Sequence, residues 1–427
     1  DLTQKEVHEM YNLFKRNKPK NTTTIIDIGS SKITCLIAEK KEIDTGLHII
    51  GNSQNICEGF KQGNVTNINK LSLSVANAVS SAEKMAGTSI NGAHIVINGG
   101  RQYSKTFKAE TAIHNGEITN KEIEKIMRNC THNAYEPNSK ILHAIPVKFQ
   151  IDNSTSITNP KGMVGHNLKG EVNICKISES VLSNISRVIE QNHIEVLSFI
   201  SSAYANSFSC LANEEKGIGC ALVDFGATTT SIGIFNENNL IYSFDLSLGG
   251  YNITKDIASG LATTFSEAER IKVLHGNLFN SSFSSNEQIN IANLDESNSN
   301  SYQTVSLDIV NEIIKARVSE ILELIEKHIN QTPYSHFLKS KVVFSGGSSQ
   351  LTGLSELSSK FLSNHIRIGT PKRIQGLPDA ACNASFASVI GALLSINEEN
   401  IIQNNFFNLN ENLNSFQKLY RWMATNV

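Results

Sequence analysis

Two stretches of the chain carry the same order of hydrophobic and polar positions, one in each half. The first reads Thr22-Thr-Thr-Ile-Ile-Asp27-Ile-Gly29-Ser30-Ser31-Lys32-Ile-Thr, and the second Gly219-Cys-Ala-Leu-Val-Asp224-Phe-Gly226-Ala227-Thr228-Thr229-Thr230-Ser-Ile. Each predicts an apolar strand ending in Asp-x-Gly, a small hydroxyl-rich turn, and a second alternating strand. Between the two, a third strand fits 46–51, and a 3.6-residue period over 67–86 gathers Leu71, Val75, Ala78, Val79 and Ala82 on one helical face. A mixed block follows: a strand at 93–98 opens it, then 101–113 is extended. A helix follows at 118–134, capped by Thr119, with Ile123, Ile126 and Met127 inward. Residues 140–151 are extended again, and 165–177 leads back to the main fold. The block interrupts the first half and predicts an inserted subdomain.

The pattern then gives a helix at 178–191, a strand at 195–200 and a small-residue helix at 202–212 feeding the second hairpin. Helices at 252–261 and 266–274 precede an Asn- and Ser-rich loop at 277–302. The strongest amphipathic helix is 307–329, with Val310, Ile313, Ile314, Val318, Ile321, Leu322, Leu324 and Ile325 available to bury. A strand at 341–345 runs into Gly346-Gly347-Ser348 at a helix start, and an apolar helix fits 384–396. Residues 398–413 have the polar composition of a linker.

The chemistry of the hairpins is that of anion binding. Glycine and small neighbours let backbone N–H groups approach phosphate oxygens, and hydroxyls add donors. The carboxylates of Asp27 and Asp224 suit a hydrated Mg²⁺, reached through its water. Without side chains at Gly346 and Gly347, a flat base or ribose can lie against the backbone, and the helix start adds its positive end.

At 427 residues the chain exceeds a single core, and 40% hydrophobic with 18% charged residues is ordinary for a globular protein. A net charge of -2 argues against a general nucleic-acid field. The seven cysteines are scattered without a Cys-x-x-Cys, which points to a reduced compartment rather than a metal or disulfide framework. No apolar run reaches the roughly 18–20 residues of a membrane span, so any membrane contact is expected to be peripheral. Residues 1–21 read as a mobile polar tail without the apolar stretch of a signal peptide.

The order hairpin, hairpin, Gly-Gly resembles the actin-like ATPase superfamily, and within it the FtsA family of bacterial cell-division proteins. The likeness runs through Ile25-Ile-Asp27-Ile-Gly29, Leu142-His143-Ala-Ile145-Pro146 and Leu222-Val-Asp224-Phe-Gly226. It continues in Ser266-Glu-Ala-Glu269-Arg-Ile-Lys272-Val-Leu-His275-Gly276, Phe344-Ser-Gly346-Gly347 and Arg367-Ile-Gly369-Thr-Pro371. It implies an α/β, duplicated actin-like ATPase fold: two lobes around a nucleotide cleft, an inserted α+β subdomain and a C-terminal amphipathic helix. The implied division is lobe I at 22–88 and 169–200, the insert at 89–168, and lobe II at 201–250 and 311–375 with an outer part at 251–310. A return helix at 376–397 completes it.

The same resemblance implies ATP with Mg as cofactors. Gly29, Ser30, Ser31 and Lys32 would hold phosphates from one side and Gly226, Ala227, Thr228 and Thr229 from the other. Glu269 and Lys272 would reach the ribose and adenine edge, unless they form a plain surface ion pair; Lys32 could equally be a solvated strand lysine. Gly346, Gly347 and Ser348 would flank the adenosine. Actin and the chaperones place a Gln or Glu on the helix entering the second hairpin. Here that helix offers Asn206 and serines, which are poor bases, so at most slow ATP hydrolysis is expected.

As implied partners, FtsA-like proteins self-associate into filaments, tether the tail peptide of FtsZ at the cytoplasmic face of the membrane in the division septum, and recruit later division proteins through the insert. Arg317 is the leading basic candidate for the FtsZ tail, against the commoner outcome of a solvated helix arginine. Rival readings are a pilus-assembly adaptor of related fold and a sugar-kinase-like phosphotransferase, for which no Asp base is evident.

Residues 414–427 form a separate signal. Phe416, Leu419, Tyr420, Met423 and Val427 fall within about 100° on a helical wheel. Lys418 and Arg421 lie away from that arc, Trp422 sits at its flank, and no acidic residue is present. This reads as an interfacial anchor, the alternative being a terminal helix docked on the protein's own core. A peptide of residues 414–427 is expected to become helical on anionic vesicles and to stay unstructured in buffer. Circular dichroism that shows no vesicle-induced helix removes the anchor.

Overall fold

The computed structural model describes residues 22–40, 46–114, 116–152, 154, 156–279, 287–292, 302–363 and 365–407, with backbone alone from 399 onward. The expected tail at 1–21, the latter part of the linker (408–413) and the amphipathic segment with Phe416, Lys418, Leu419, Tyr420, Arg421, Trp422 and Met423 lie outside the described residues.

The first sheet has five strands in the order β10-β6-β1-β2-β3. They are β1 (Thr22–Ile28), β2 (Lys32–Lys40), β3 (Leu47–Ile56), β6 (Gly92–Ile97) and β10 (Glu195–Ser201). The second sheet repeats that order with β11 (Cys220–Phe225), β12 (Thr230–Asn236), β13 (Asn239–Leu246), β16 (Val342–Ser345) and β17 (Ile366–Ile368). In both, the central strand pairs antiparallel with the next strand and parallel with a later one. The fold is therefore a two-lobed α/β structure built from one unit used twice.

Covering on both faces explains why β1 carries isoleucine at the successive positions 25 and 26 and again at 28. Ile26 and Ile28 pack with Leu71, Val75 and Ala78 of the helix Ile68–Ala86, while Ile25 packs with Val389, Ile390 and Leu393 of the helix Ala387–Phe407. The first helix starts where the Asn67 side chain accepts the Lys70 N–H (3.0 Å) and ends at Gly87 in the left-handed region.

Three of the expected boundaries are corrected. The strand placed at the opening of the insert is instead β6 of the first sheet, running parallel to β1 with Ile28 opposite Ile97. Its buried run Ala93, Ile95, Val96, Ile97 is the signature of a strand covered on both faces. The return segment, assigned in part to lobe I, is β9 (Asn167–Ser178), the middle strand of the insert between β7 (Tyr103–Ala112) and β8 (Ser139–Ile151). Its alternating Leu168, Val172 and Ile174 pack under the helix Asn120–Asn133. Residues 398–407, read as linker, continue the helix Ala387–Phe407; after Gly391 no glycine or proline interrupts it.

The insert joins the second sheet at β13, where Phe244 pairs with Tyr103. Asn173 Nδ2 donates to the Leu240 carbonyl (2.9 Å) and the Ser243 N–H to Ser104 Oγ (2.7 Å). Within the Asn- and Ser-rich loop, β14 (Gln288–Ala292) pairs antiparallel with β15 (Tyr302–Ser306), which starts at the loop's end. Another short hairpin, β4 (Phe60–Lys61) with β5 (Asn64–Val65), lies between the lobes.

The lobes also meet where the helix Ser202–Cys210 packs against Ala387–Phe407. A Cβ on Gly391 would fall 1.9 Å from the Ala205 carbonyl oxygen, so this contact is backbone against backbone. Gly391→Ala is expected to force the helices apart and lower stability by about 1–3 kcal/mol, the usual cost of overpacking. Urea unfolding of the variant measures it.

Candidate functional site

The two hairpins close in the same way. The Gly29 N–H donates to the Lys32 carbonyl and the Gly226 N–H to the Thr229 carbonyl, both at 3.0 Å. A Cβ on either glycine would lie 2.9 Å from that carbonyl oxygen, so each turn requires glycine for space. The tips touch: Thr228 Oγ1 donates to Ser30 Oγ (2.6 Å) and accepts the Gln62 N–H (2.9 Å). Gln62 also donates through Nε2 to the Ser247 carbonyl (2.9 Å), and Lys61 sits over the Tyr251 ring (4.7 Å). The β4–β5 hairpin thus spans from the first lobe to the second.

Asp27 and Asp224 come together at the roots of these hairpins. Asp224 is buried, and desolvation raises its carboxyl to about 6 against the pull of Ser202 and Asn206. Asp27 keeps part of its surface open to the cleft, yet desolvation and then the neighbouring Asp224 raise it to about 7, with Ser388 and Lys32 opposing. Lys32 lies over the Phe386 ring (5.3 Å); loss of water lowers its pKa while Asp27 draws it up. It is therefore a cleft residue and not a solvated strand lysine.

Among the described residues no cluster of three or more His, Cys, Asp or Glu could hold a metal ion. Two carboxylates alone do not make a cage for a bare cation. They do suit Mg²⁺, which keeps its waters and completes its shell with phosphate oxygens. The donor set is hard oxygen throughout, so the residues fit that ion.

Gly346 follows β16 at φ 84°, and a Cβ there would meet Asp224 Oδ1 at 2.5 Å and the Phe225 carbonyl oxygen at 2.6 Å. Ser348 Oγ donates to the Gly226 carbonyl (2.9 Å), tying this turn to the second hairpin. The expected helix start is one 3₁₀ turn, Gly347–Gln350, so it adds little axial dipole. Nothing crowds the missing side chain of Gly347, whose nearest neighbour would be Ser385 Cβ at 3.8 Å.

Glu269 and Lys272 are more than a surface pair. The Lys272 ammonium is buried, and its three protons go to Glu269 Oε2 (2.7 Å), Thr254 Oγ1 (2.8 Å) and the Gly250 carbonyl (3.2 Å). A Cβ on Gly250 would in turn lie 2.3 Å from Ser348 Oγ, so the pair braces the wall beside the Gly346 turn. Arg317 stands apart, gripped by Asp256 through Nε and Nη2 and by Glu320 through Nη1. It is not the solvated arginine that the pattern suggested.

Asn98, Asp245, Gln62, Phe386 and Ser388 were not singled out from the sequence. Asn98 Nδ2 donates to Asp224 Oδ2 (2.9 Å), and its Oδ1 accepts from Thr229 Oγ1 (2.6 Å) and lies 3.0 Å from Ser231 Oγ. Ser231 Oγ also contacts Asp245 Oδ1 (2.5 Å), and the Gln102 N–H donates to Asp245 Oδ2 (3.0 Å). The one available signal was Asn98-Gly99-Gly100 at the end of an apolar strand.

Desolvation first, and Asp224 in addition, raise Asp245 to about 7, against Ser231 and Gln102. A carboxyl with a raised folded pKa contributes most below its unfolded value, and that contribution is lost as pH rises through the folded one. Asp245→Asn mimics the protonated form at every pH. Its stability relative to the unaltered protein is expected to rise between pH 4 and 8, with the change centred below about 7. Thermal unfolding across that range measures it, and a pH-independent difference contradicts it.

Two family models match the chain: "Cell division protein FtsA" over residues 221–391 and "SHS2 domain inserted in FTSA" over residues 99–176. The second match begins after β6, as the corrected strand assignment does. The cell division protein FtsA of Rhizobium meliloti is 30% identical over 387 residues, 88% of each chain. That of Pseudomonas aeruginosa is 27% identical over 369 residues, covering 86% of this chain and 88% of its own. The Escherichia coli K12 protein is 26% identical over 375 residues, with the same coverage of 86% and 88%.

Among solved structures, the fold resembles a PilM–PilN type IV pilus biogenesis complex (TM-score 0.64, 13% identity, 88% of this chain and 98% of that one). It also resembles MreB5 of Spiroplasma citri bound to AMPPNP (TM-score 0.55, 11% identity, 91% and 99%). These likenesses establish the actin-like fold; the sequence relatives, matched along most of their length, go further, and the chain belongs to the FtsA family of cell-division proteins.

Proposed function

We propose that this protein is an ATP-binding division scaffold that assembles on the cytoplasmic face of the membrane at the septum and tethers FtsZ there. The observation that carries the nucleotide reading is the meeting of two identically closed glycine hairpins, Ser30 against Thr228, with Asp27 and Asp224 at their roots. Bound Mg²⁺ would supply the positive charge that this pair of carboxylates lacks. Backbone N–H groups and hydroxyls of Ser30, Ser31, Ala227, Thr228 and Thr229 would then face phosphate in place of the Thr228–Ser30 contact. Lys32, held between Asp27 and Phe386, would add a cation on the first side. Gly346, Gly347 and Ser348 would leave room for the nucleoside.

Turnover is a different matter. The side chains of the helix Ser202–Cys210 that lie against Asp224 are Ser202 and Asn206, and Asn206 Nδ2 is committed to Ser345 Oγ (2.9 Å). Neither is a general base at neutral pH, so the site is built to hold ATP and hydrolyse it slowly. Nucleotide would then act as an assembly switch. The FtsZ tail would dock on the outer part of lobe II, and later division proteins on the insert. Arg317 could serve the tail's carboxylates only by leaving Asp256. The membrane contact rests on the pattern of residues 414–427, strengthened by avidity in a filament.

Titration calorimetry with ATP, with and without Mg²⁺, tests the cleft. Asp224→Asn is expected to weaken Mg²⁺-dependent ATP affinity about tenfold or more, roughly 1.4 kcal/mol, with little effect on binding in EDTA. Equal affinities for the two proteins in Mg²⁺ would remove Asp224 from the site. Flotation of the full chain with anionic vesicles, with and without FtsZ, tests the tether.

A further inference from the structure

The insert is attached to the body in two ways that converge on one side chain. Covalently it grows from the end of β6 through Asn98, Gly99, Gly100 and Arg101, the last three at positive φ. Non-covalently it lies on β13 of the other lobe, through the Tyr103–Phe244 pairing and the Asn173 and Ser104 hydrogen bonds. Asn98 belongs to the first lobe by sequence and to the second by its bonds. Its NH₂ end donates to the Asp224 carboxylate, while its carbonyl end accepts the Thr229 hydroxyl and lies within hydrogen-bond distance of Ser231 Oγ. Only a primary amide presents two donors and an acceptor in that arrangement; Asp lacks the donor and Ala lacks both.

The polar contacts continue through Ser231, whose single proton serves either Asn98 Oδ1 or Asp245 Oδ1. Ser231 reaches Asp245, and the Gln102 N–H donates to Asp245 while the Asp245 N–H donates back to the Gln102 carbonyl (3.1 Å). Gln102 is buried and turns its Nε2 onto the carbonyls of Gly99 (2.8 Å) and Ile97 (3.2 Å), locking the bend. Its chain then enters β7. A chain of polar contacts therefore joins the carboxylate at the second hairpin to the root of the insert.

We infer that Asn98 is a positioning residue that couples the Asp224 carboxylate, through Ser231 and Asp245, to the attitude of the inserted subdomain. Any ligand that draws on Asp224 must compete with, or reorient, the Asn98 amide. The Gly99–Arg101 bend then passes the shift to β7. The inference rests on the nucleotide reading above and adds a route by which an occupied cleft alters a surface formed by another part of the chain.

Hydrogen–deuterium exchange on the full chain tests it, following peptides from Tyr103–Ala112 and Asn167–Ser178 with and without saturating MgATP. The unaltered protein is expected to change its exchange in these strands on binding. Asn98→Ala is expected to bind MgATP and lose that change. Ser231→Ala, which leaves the Asn98–Asp224 bond in place, is expected to keep full affinity and lose the change as well, and it decides the matter should Asn98→Ala fold poorly. An insert that responds equally in Ser231→Ala and the unaltered protein overturns the inference and leaves the nucleotide reading standing. No MgATP binding by the unaltered protein overturns both.

Discussion

Two carboxylates held close together, largely out of water, are the constraint on which the rest of the cleft depends. Asp27 and Asp224 each end a central strand, and each finds its charged form penalised by desolvation. Such a pair persists where neighbouring groups partly compensate it. The compensation comes from identifiable neighbours: Ser388 and Lys32 draw Asp27 down, Asn206 does so for Asp224, and Asn98 Nδ2 donates to the Asp224 carboxylate. Gly346 belongs to the same account, because any larger residue would drive a Cβ into Asp224.

Duplication is what places these groups opposite one another. A sheet whose central strand is flanked by an antiparallel and a parallel neighbour puts its Asp-x-Gly turn at one end. Two such sheets, joined by helices of small residues, bring the ends face to face. The joint is tight enough for Gly391 to lie directly on the Ala205 carbonyl, and Ser209 Oγ donates to the Ala387 carbonyl (2.8 Å). Small, weakly amphipathic residues at 202–210 are thus a packing requirement, and they leave the helix lined with serine and asparagine beside Asp224. The residues that let the helices touch are therefore also ones that offer no base beside Asp224.

Local patterns carried much of this into the sequence, and non-local pairings carried the rest. The hairpins, the helix Ile68–Ala86 with its five inward residues and the long helix Leu307–Asn330 were legible because periodicity and caps are local. The assignment of β6 was not, because a buried strand reads alike whichever sheet takes it, and only its register with β1 decides. β9 was misplaced for the same reason. A plain surface pair stayed open as the alternative for Glu269 and Lys272, because spacing gives the i, i+3 partner but not the Thr254 and Gly250 oxygens that complete the Lys272 shell. Arg317 looked free because Asp256 lies on another helix. Asn98 escaped notice because one amide has no period at all.

The placement of the insert follows from the same geometry. A subdomain rooted only in the first lobe could swing on its glycines, and one merely resting on the second would be fixed to that lobe alone. Here the root passes through Asn98 into the second hairpin, and the sheet edge is shared with β13. The insert is therefore held by both lobes at once. The same holds for the β4–β5 hairpin, which crosses to Thr228 and Ser247 through Gln62. Both crossings bond to the second hairpin or the turn beside it, where a phosphate group would compete for the same hydroxyls and carboxylate. Contacts of this kind are the route by which binding energy at the cleft would be expressed at distant surfaces.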